Sequence, residues 1–498
     1  LGATVLVERR AAPDFIEQRA VPAANTNGRT DADVRLKLNY LPDAIPELSA
    51  GLSALVLSGD STERWVEPPL SGVASAPVRF DPFDRQSYSP DPVAAWTHAR
   101  GEAGFVRYDD GDAMTVDLRA SATKIDRSGE QLPALSTTNQ QTEERDRASA
   151  DVKRRFDSGW TFVAGAEGAV VRTSEDFLTQ QQTSRFESGN RFTTRTSSAW
   201  VWAEHPLGER WNAGIGLRWL RERVEQTSTV ETQSCDANLP ARCAETQIRV
   251  SGDTTDRIPI PLATLEWRPS PDHTLQLTQT NGYRSGGLVT PQVLYKPEQD
   301  RTTEAGWTAQ WLGGALRTTT TIFQDEIDDR YTFFSLDNNY SKGRARVRGA
   351  EFEADAELSP LWHVRSGLGL LDARYIHYNT GAGDEAGNTL PSAPHRTGVL
   401  GLRFGADRQW YGSLDAYYAA PTELDLFLRT PVPDYWLVNL RAGYRTAHWD
   451  AALFVLNAFN ARYIDRVDTI VRVSPSPPIE RYRLGDPRQF EFRWSWNF

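Results

Sequence analysis

Apolar and polar residues alternate along most of this chain. Every second residue is apolar in segments that include 34–40, 114–120, 211–219, 305–311 and 350–356. A period of two is that of a β-strand with one face in an apolar environment and the other in water. No segment shows a competing helical period, so the pattern predicts an all-β protein.

The connections between these segments alternate between tight and long. Short ones such as Asp109 to Asp112 and Pro206 to Glu209 alternate with long polar stretches such as 226–256, 326–342 and 458–486. Tight turns on one rim and long loops on the other are typical of an outer-membrane barrel, with the turns in the periplasm and the loops outside the cell. The rhythm predicts one transmembrane antiparallel β-barrel of about 20–22 strands over residues 1–498.

A soluble all-β protein, such as a propeller or a solenoid, is the alternative to a membrane barrel. Those folds are built from sequence repeats, and the chain has no repeat period. Mean hydropathy is −0.53, which resembles a soluble protein, but half of every barrel strand also faces water. The 10% of aromatic residues, with 16 Trp, suit the interfacial girdles of a membrane barrel.

The chain ends on an alternating aromatic series. Phe490, Phe492, Trp494, Trp496 and Phe498 share one face of the last predicted strand, with polar residues between them. An aromatic at the final position, with apolar residues at every second position before it, resembles the signal by which outer-membrane barrels are handed to their assembly machinery. We therefore expect the assembly machinery and the outer-membrane lipid to be partners of this chain.

The two cysteines of the chain, Cys235 and Cys243, lie eight residues apart in a polar stretch. Two cysteines this close in an otherwise cysteine-free chain predict a loop disulfide in an oxidising compartment, with two free thiols as the alternative. The net charge of −11 and the absence of a stripe of Lys and Arg in the sequence argue against a nucleic-acid partner.

A series of short motifs follows in order through the second half of the chain. The motifs are GYRSGG at 282–287, KPE at 296–298 with TEAG at 303–306, VRGAEFE at 347–353, LPSAPHR at 390–396, LVNLRAGY at 437–444, VLNAFN at 455–460 and GDPR at 485–488. Each is weak alone, but their order and their distance from the end of the chain resemble the C-terminal barrel of TonB-dependent receptors, the gated importers of siderophores, cobalamin and some sugars. The resemblance covers roughly residues 257–498, and the N-terminal half matches only in rhythm.

The resemblance implies features that this sequence does not show. Such receptors begin with a TonB-contacting segment and a plug that fills a barrel of twenty-two strands, but no plug-like segment is recognised here. We expect a plug that was lost, removed or supplied by another chain, or a sequence that is a fragment. Within the motifs, Gly349 and Gly443 predict close backbone approach at the barrel wall, and Gly286 with Gly287 predicts a loop with positive φ.

Candidate ligand-binding residues come from two places. Tyr283 and Arg284 lie where the resemblance implies a ligand vestibule, and an Arg suits an anionic chelate through forked charged hydrogen bonds; local loop packing is the alternative. Another loop carries aromatic rings that suit an apolar or aromatic ligand, or alternatively an outer girdle or a partner contact. These rings are Tyr331, Phe333, Phe334 and Tyr340.

Other chemistry is not supported by the sequence. The acidic residues Asp325, Glu326, Asp328 and Asp329 could hold calcium, but they lack a fixed ligand spacing, so a solvated rim is the preferred interpretation and no metal is predicted. Seven scattered His and one Met give no haem or copper relay, and we predict no cofactor. No catalytic motif is present, so we predict that the chain is not an enzyme.

Two functions remain open from the sequence. The first is a TonB-dependent-receptor-like transporter in the outer membrane of a Gram-negative bacterium, which takes up a scarce ligand such as a siderophore and works with a separate plug and a TonB-type energiser. The alternative is a receptor-derived barrel without a plug, which acts as a passive pore or as a structural subunit of an envelope assembly.

Overall fold

The structure is a computed structural model of the chain. It describes residues 1–12, 16–19, 29–62, 65–68, 81–88, 93–131, 136–180, 184–236, 239–290, 293–333, 340–379, 383–405, 409–424, 431–470 and 479–496. Within these ranges no helix is long and apolar enough to cross a membrane.

Nearly every described residue lies in a strand. Two short 3-10 turns interrupt the strands, at Pro82–Asp84 and Leu312–Gly314. In chain order the strands are β1 (Gly2–Ala12), β2 (Glu17–Gln18), β3 (Arg29–Tyr40), β4 (Leu48–Thr62), β5 (Trp65–Val66), β6 (Gln86–Ser87), β7 (Val93–Asp109), β8 (Met114–Gln131), β9 (Ser136–Arg155), β10 (Thr161–Gln180), β11 (Ser184–Pro206), β12 (Trp211–Asp236), β13 (Leu239–Ser270), β14 (His273–Arg284), β15 (Gly287–Thr290), β16 (Val293–Tyr295), β17 (Glu298–Trp311), β18 (Leu316–Phe333), β19 (Tyr340–Ser359), β20 (Trp362–Asn379), β21 (Arg396–Gly405), β22 (Gln409–Ala419), β23 (Thr422–Glu423), β24 (Pro431–Val432), β25 (Tyr435–Arg445), β26 (Trp449–Leu456), β27 (Ile464–Ile470), β28 (Ile479–Leu484) and β29 (Gln489–Trp496).

Twenty of these strands form one sheet. Each pairs antiparallel with the sheet strand before it and the one after it in the chain, from the β1–β3 pair to the β26–β29 pair. The nine short strands form small sheets of their own in the long connections. The predicted all-β antiparallel architecture is confirmed.

The two end strands of the large sheet lie within electrostatic reach of each other. Glu8 on β1 interacts with Arg493 on β29, and Arg10 interacts with Glu491. Within the described strands no backbone ladder joins β1 to β29.

Tight turns join alternate strand pairs, where the sequence predicts them. Gly159 and Gly208 lie in two of these turns with φ of 85° and 87°, a backbone conformation that residues with a Cβ rarely adopt.

Ring pairs beside the tight turns form an aromatic belt, as expected of an interfacial girdle. The belt contains Trp160 with His205 at 4.5 Å between centroids, Trp211 with Trp267 at 5.5 Å, His273 with Trp307 at 5.9 Å, Trp362 with Phe404 at 4.8 Å and Trp449 with Trp494 at 5.8 Å.

The outer face of the sheet is apolar and exposed. Ile215 is 68% exposed, Leu52 64% and Trp219 52%, which would be costly in water but suits a surface that lipid covers. Between these apolar positions, the opposite face carries polar residues such as Asn212 and Arg218 and glycines such as Gly51 and Gly216. Alternation along the sequence therefore predicted the two faces correctly.

Several aromatic rings lie flat against the inner face of the wall. In each case the ring lies over a glycine directly opposite on the neighbouring strand, where a Cβ would collide with it. Gly349 and Gly443 behave in this way, which confirms close approach at those positions. The pairs are Gly51 with Phe105, Gly165 with Trp200, Gly216 with Trp202, Gly349 with Phe323 and Gly443 with Tyr411.

Strand length differs greatly around the sheet. β12 has 26 residues and β13 has 32, whereas β26 and β29 have 8 each. The prediction that 226–256 is a loop is wrong, because these residues continue β12 and β13 as a paired hairpin. Strands of about 9–11 residues cross a bilayer, so β12 and β13 rise well beyond the apolar band on the loop side.

The long connections pack into two small apolar cores. One joins Ile327, Ala345 and Tyr375 on β18, β19 and β20 to Leu390 from the following loop. The other contains buried residues from four different long connections, which pack against one another through these described residues. Its buried members are Ile16, Val66, Val432, Ile464, Val467 and Leu484.

Candidate functional site

The structure brings three of the six predicted ligand-binding residues together on the loop side. Tyr283 and Arg284 end β14, and Tyr331 lies near the end of β18. Phe333 and Tyr340 are paired across the β18–β19 hairpin, but their side chains, and all of Phe334, lie outside the described residues.

Arg284 and Tyr331 are in direct contact. The guanidinium carbon of Arg284 lies 4.4 Å from the centre of the Tyr331 ring, the geometry of a cation–π contact. The Tyr331 hydroxyl donates a hydrogen bond of 3.0 Å to the carbonyl oxygen of Ser285, which fixes the ring beside the end of β14. The ring of Tyr295 lies against Tyr331 with 4.4 Å between centroids.

Tyr295 reaches this position because the chain folds back sharply after β14. A Cβ on Gly286 would stand 2.8 Å from the backbone nitrogen of Pro297 and 2.8 Å from the carbonyl oxygen of Tyr295, so only glycine allows this approach. The predicted positive φ at Gly286 and Gly287 is wrong, because neither has one. Burial raises the pKa of the Tyr295 phenol further above its ordinary value, at which the hydroxyl is already protonated at neutral pH.

A buried carboxylate holds the end of β14 from the other side. The Tyr283 hydroxyl donates to Oε2 of Glu222 at 2.8 Å, and the Thr196 hydroxyl donates to the same oxygen at 3.3 Å. Glu222 is only 4% exposed, and Asp256 lies directly opposite it on β13. Sequence reasoning missed Glu222, although its place between the outward-facing residues of β12 puts it on the inner face.

Glu298 lies between two arginines at the start of β17. Its carboxylate is 4.0 Å from Arg284 and 3.9 Å from Arg330. The side chain of Glu298 is 13% exposed and that of Arg330 28%, whereas that of Arg284 is 59% exposed. Arg284 therefore stacks one face on Tyr331 and has Glu298 as a distant counter-ion. Among the described residues no hydrogen-bond acceptor occupies its exposed donors, which can bind an anionic oxygen. We call Glu222, Tyr283, Arg284, Glu298 and Tyr331 the vestibule cluster.

The acidic residues predicted to form a solvated rim are dispersed in the structure. Asp325 accepts a hydrogen bond of 3.0 Å from Thr302, and Asp328 forms an ion pair of 2.6 Å with Arg344. Asp329 lies at a β-bulge with φ of 54°. Among the residues that can be described, no three His, Cys, Asp or Glu side chains converge as metal ligands would.

Two further predictions concern parts of the chain away from the vestibule cluster. Cys235 and Cys243 are joined by a disulfide at the tip of the β12–β13 hairpin. On β29 the aromatic series from Phe490 to Trp496 lies on the outer face, and its four aromatic residues are 53–69% exposed. Phe498 lies outside the described residues.

The meander of tight turns and long loops, with its apolar outer face and its loop-side cluster, defines a large barrel of the receptor or porin class. The chain belongs to the family described as TonB dependent receptor-like, beta-barrel, whose model matches residues 47–460. The family is one of transport receptors. The match extends the predicted resemblance well into the N-terminal half.

Individual relatives are distant. The chain is 26% identical over 282 residues to the Probable TonB-dependent receptor BfrD of Bordetella pertussis, which covers 51% of this chain and 35% of the relative. It is 25% identical over 220 residues to the Ferripyoverdine receptor of Pseudomonas aeruginosa, which covers 41% of this chain and 26% of that receptor. The matched segments thus span about a third or less of these relatives' lengths.

The fold is also that of a solved receptor. The ferric yersiniabactin uptake receptor FyuA from Yersinia pestis superposes with a TM-score of 0.79 over 99% of this chain and 74% of that one, at 16% sequence identity. At this identity the likeness concerns the fold.

Proposed function

We propose that this chain forms the barrel of an outer-membrane receptor that takes up a scarce anionic chelate, such as a ferric siderophore, in a Gram-negative bacterium. The observation that carries the proposal is the exposed guanidinium of Arg284, stacked on Tyr331 and presented on the loop side of a receptor-family barrel. Relatives described as a ferripyoverdine receptor and a catecholate siderophore receptor support the ligand class.

Each member of the vestibule cluster has a distinct part in this proposal. Arg284 offers forked donors to the anionic oxygens of the ligand. Tyr331 positions the guanidinium by stacking on it, and Tyr283 anchors the strand end to Glu222. The Glu298 carboxylate lies 4.0 Å from Arg284, which is beyond hydrogen-bond distance. A ligand oxygen can therefore accept hydrogen bonds from the Arg284 guanidinium without breaking a close ion pair.

Gated import needs parts beyond the barrel wall. We infer that a plug from polypeptide outside residues 1–498, and a TonB-type energiser, complete the transporter. The barrel wall described here supplies the capture site and the passage.

Ligand capture can be tested on the purified chain in detergent by the quenching of its tryptophan fluorescence. We expect a triply anionic ferric tris-catecholate to bind more tightly than a cationic ferric trihydroxamate. A hydrogen bond to a charged group contributes about 1.5–3 kcal/mol, so Arg284→Gln should weaken catecholate binding roughly 10-fold to 150-fold. Arg268→Gln is the matched control, because Arg268 is a similarly exposed arginine beside a tight turn, paired with Glu266 at 2.7 Å. Equal binding of the two chelates, or unchanged binding by Arg284→Gln, would contradict the proposal.

A second candidate function is a passive pore or a structural subunit. It is favoured by the described inner-face aromatic rings, which lie flat over glycines and so project little from the wall. Planar-bilayer recording separates the two functions. A large steady conductance without chelate binding favours the pore, whereas chelate binding at the Arg284 site favours the receptor.

A further inference from the structure

The outer face of β11, β12 and β13 changes character at one level of the wall. On β12 the exposed residues from Trp211 to Trp219 are apolar, and nine residues are about the length that crosses a bilayer. The next two outward-facing residues of β12 are Arg221 and Arg223, both exposed. The change from apolar to basic side chains therefore falls where the hydrocarbon would end on the loop side.

Four arginines share this level on three neighbouring strands. Arg195 on β11 is directly opposite Arg223 on β12, and Arg221 on β12 is directly opposite Arg257 on β13. Directly opposite residues of an antiparallel pair project from the same face, with about 4.5–5.5 Å between their Cβ atoms. We call these four residues the arginine patch.

Carboxylates compensate only part of the arginine patch. Glu225 pairs with Arg195 at 2.7 Å and with Arg223 at 3.2 Å, and Asp253 pairs with Arg223 at 3.3 Å. Among the described residues, neither Arg221 nor Arg257 has a carboxylate within ion-pair distance. Like charges directly opposite on a sheet are destabilising, so this second pair is an arrangement that a bound anion would relieve.

We propose that the arginine patch binds the phosphate groups of an anionic outer-leaflet lipid, with the acyl chains of that lipid on the apolar wall below. Guanidinium groups bind phosphate through paired charged hydrogen bonds, and Arg221 with Arg257 presents two such groups side by side. Val201, Ile215 and Trp219 provide the exposed apolar surface directly beneath. A free phosphate ion would use the arginines but not this wall. The inference rests on the proposed location in an outer membrane.

Native mass spectrometry of the purified chain can count bound lipid. Bisphosphorylated lipid A is the probe, and its form with one phosphate removed is the comparison. We expect the double variant Arg221→Gln with Arg257→Gln to bind the probe at least tenfold more weakly, and the wild-type chain to bind the monophosphorylated form more weakly than the probe. Arg172→Gln with Arg191→Gln is the matched control, because these outer-face arginines already have carboxylate partners, Asp146 at 2.9 Å and Asp176 at 2.7 Å.

The charge-reversal variant Arg221→Glu distinguishes loss of lipid binding from loss of the fold. In Arg221→Glu the new carboxylate can pair with Arg257, so the sheet should be at least as stable as in the wild type while lipid binding is lost. Equal binding by the patch and control variants would overturn the proposal, as would displacement of the lipid by millimolar inorganic phosphate alone. Chelate binding by these variants should stay at the wild-type level. A chain that does not insert into bilayers contradicts the proposed function itself, whereas an inserted chain that retains no lipid contradicts only this inference.

Discussion

Replacing Gly165 with alanine should destabilise the barrel, because the Trp200 ring occupies the place of the new methyl group. A Cβ at Gly165 would overlap that ring and stand 2.8 Å from the carbonyl oxygen of Ala150. Movement of the ring away from the wall is limited by the guanidinium of Arg218, whose carbon lies 5.5 Å from the ring centre. That guanidinium is itself held by a hydrogen bond of 2.9 Å to Ser198.

The expected magnitude follows from overpacking. Forcing an extra methyl group into a filled site costs about 1–3 kcal/mol. Gly168 is the matched control on the same strand, because a Cβ there meets nothing within 4 Å. Alanine in place of a strand glycine otherwise stabilises by roughly 0.5–1 kcal/mol. Because this gain applies to both positions, it cancels, and the free energies of unfolding of Gly165→Ala and Gly168→Ala should differ by the overpacking cost alone, about 1–3 kcal/mol.

Equilibrium unfolding by guanidinium chloride, followed by tryptophan fluorescence of the barrel in lipid bilayers, measures this difference. The double variant Gly165→Ala with Trp200→Ala removes the overlapping ring, so the cost of the alanine should largely disappear in that background. Equal stability of the two alanine variants would refute the steric argument. So would a Gly165→Ala cost that is unchanged when Trp200 is absent.

Three more outcomes are expected. Three backbone N–H groups of the following turn donate hydrogen bonds to the Asp110 carboxylate and hold its pKa below the ordinary value. The carboxylate should therefore stabilise the turn below pH 3.9 and lose this effect only as the pH falls through the lowered pKa. NMR titration of the carboxyl group measures that pKa, and an ordinary value would contradict the prediction. Reduction of the Cys235–Cys243 disulfide should expose the hairpin tip to protease while the barrel stays resistant, whereas equal cleavage of the oxidised and reduced chains would show that the bond does not hold the tip. Deletion of Phe498 should lower the yield of folded barrel in the outer membrane, with Trp410→Ala as the control in another exposed ring; an unchanged yield would refute the assembly-signal interpretation.

The fold was predictable because each wall residue meets one of two environments. Alternation of apolar and polar residues with a period of two indicates which environment each residue faces. The alternation of tight and long connections indicates the order of the strands. The hairpin over 226–256 was missed for the same reason. Beyond the apolar band both faces of a strand meet water, so the sequence there is polar at nearly every position and resembles a loop.

The vestibule cluster was only partly predictable. Tyr283, Arg284 and Tyr331 stood out because a motif and an aromatic-rich stretch mark them. Glu298 lies in the KPE motif and Glu222 alternates onto the inner face of β12, but neither signal indicates a role, because their roles come from strands that meet only in the folded sheet. The Tyr283–Glu222 hydrogen bond joins residues 61 positions apart, and no spacing rule within either strand indicates it.

The register of β12 places residues of the vestibule cluster and of the arginine patch on opposite faces of one strand. Arg221 and Arg223 point outward into the arginine patch, while Glu222 between them points inward and anchors the vestibule cluster. A slip of one residue would exchange the faces, burying an arginine against Tyr283 and placing a carboxylate beside the lipid phosphates. The ladders to β11 and β13 fix the register along nearly the whole of β12. The proposed ligand capture on the inner face and the proposed lipid binding on the outer face therefore depend on the same backbone pairing. A substitution that shifts this ladder should impair both, whereas the side-chain variants proposed above should impair only one.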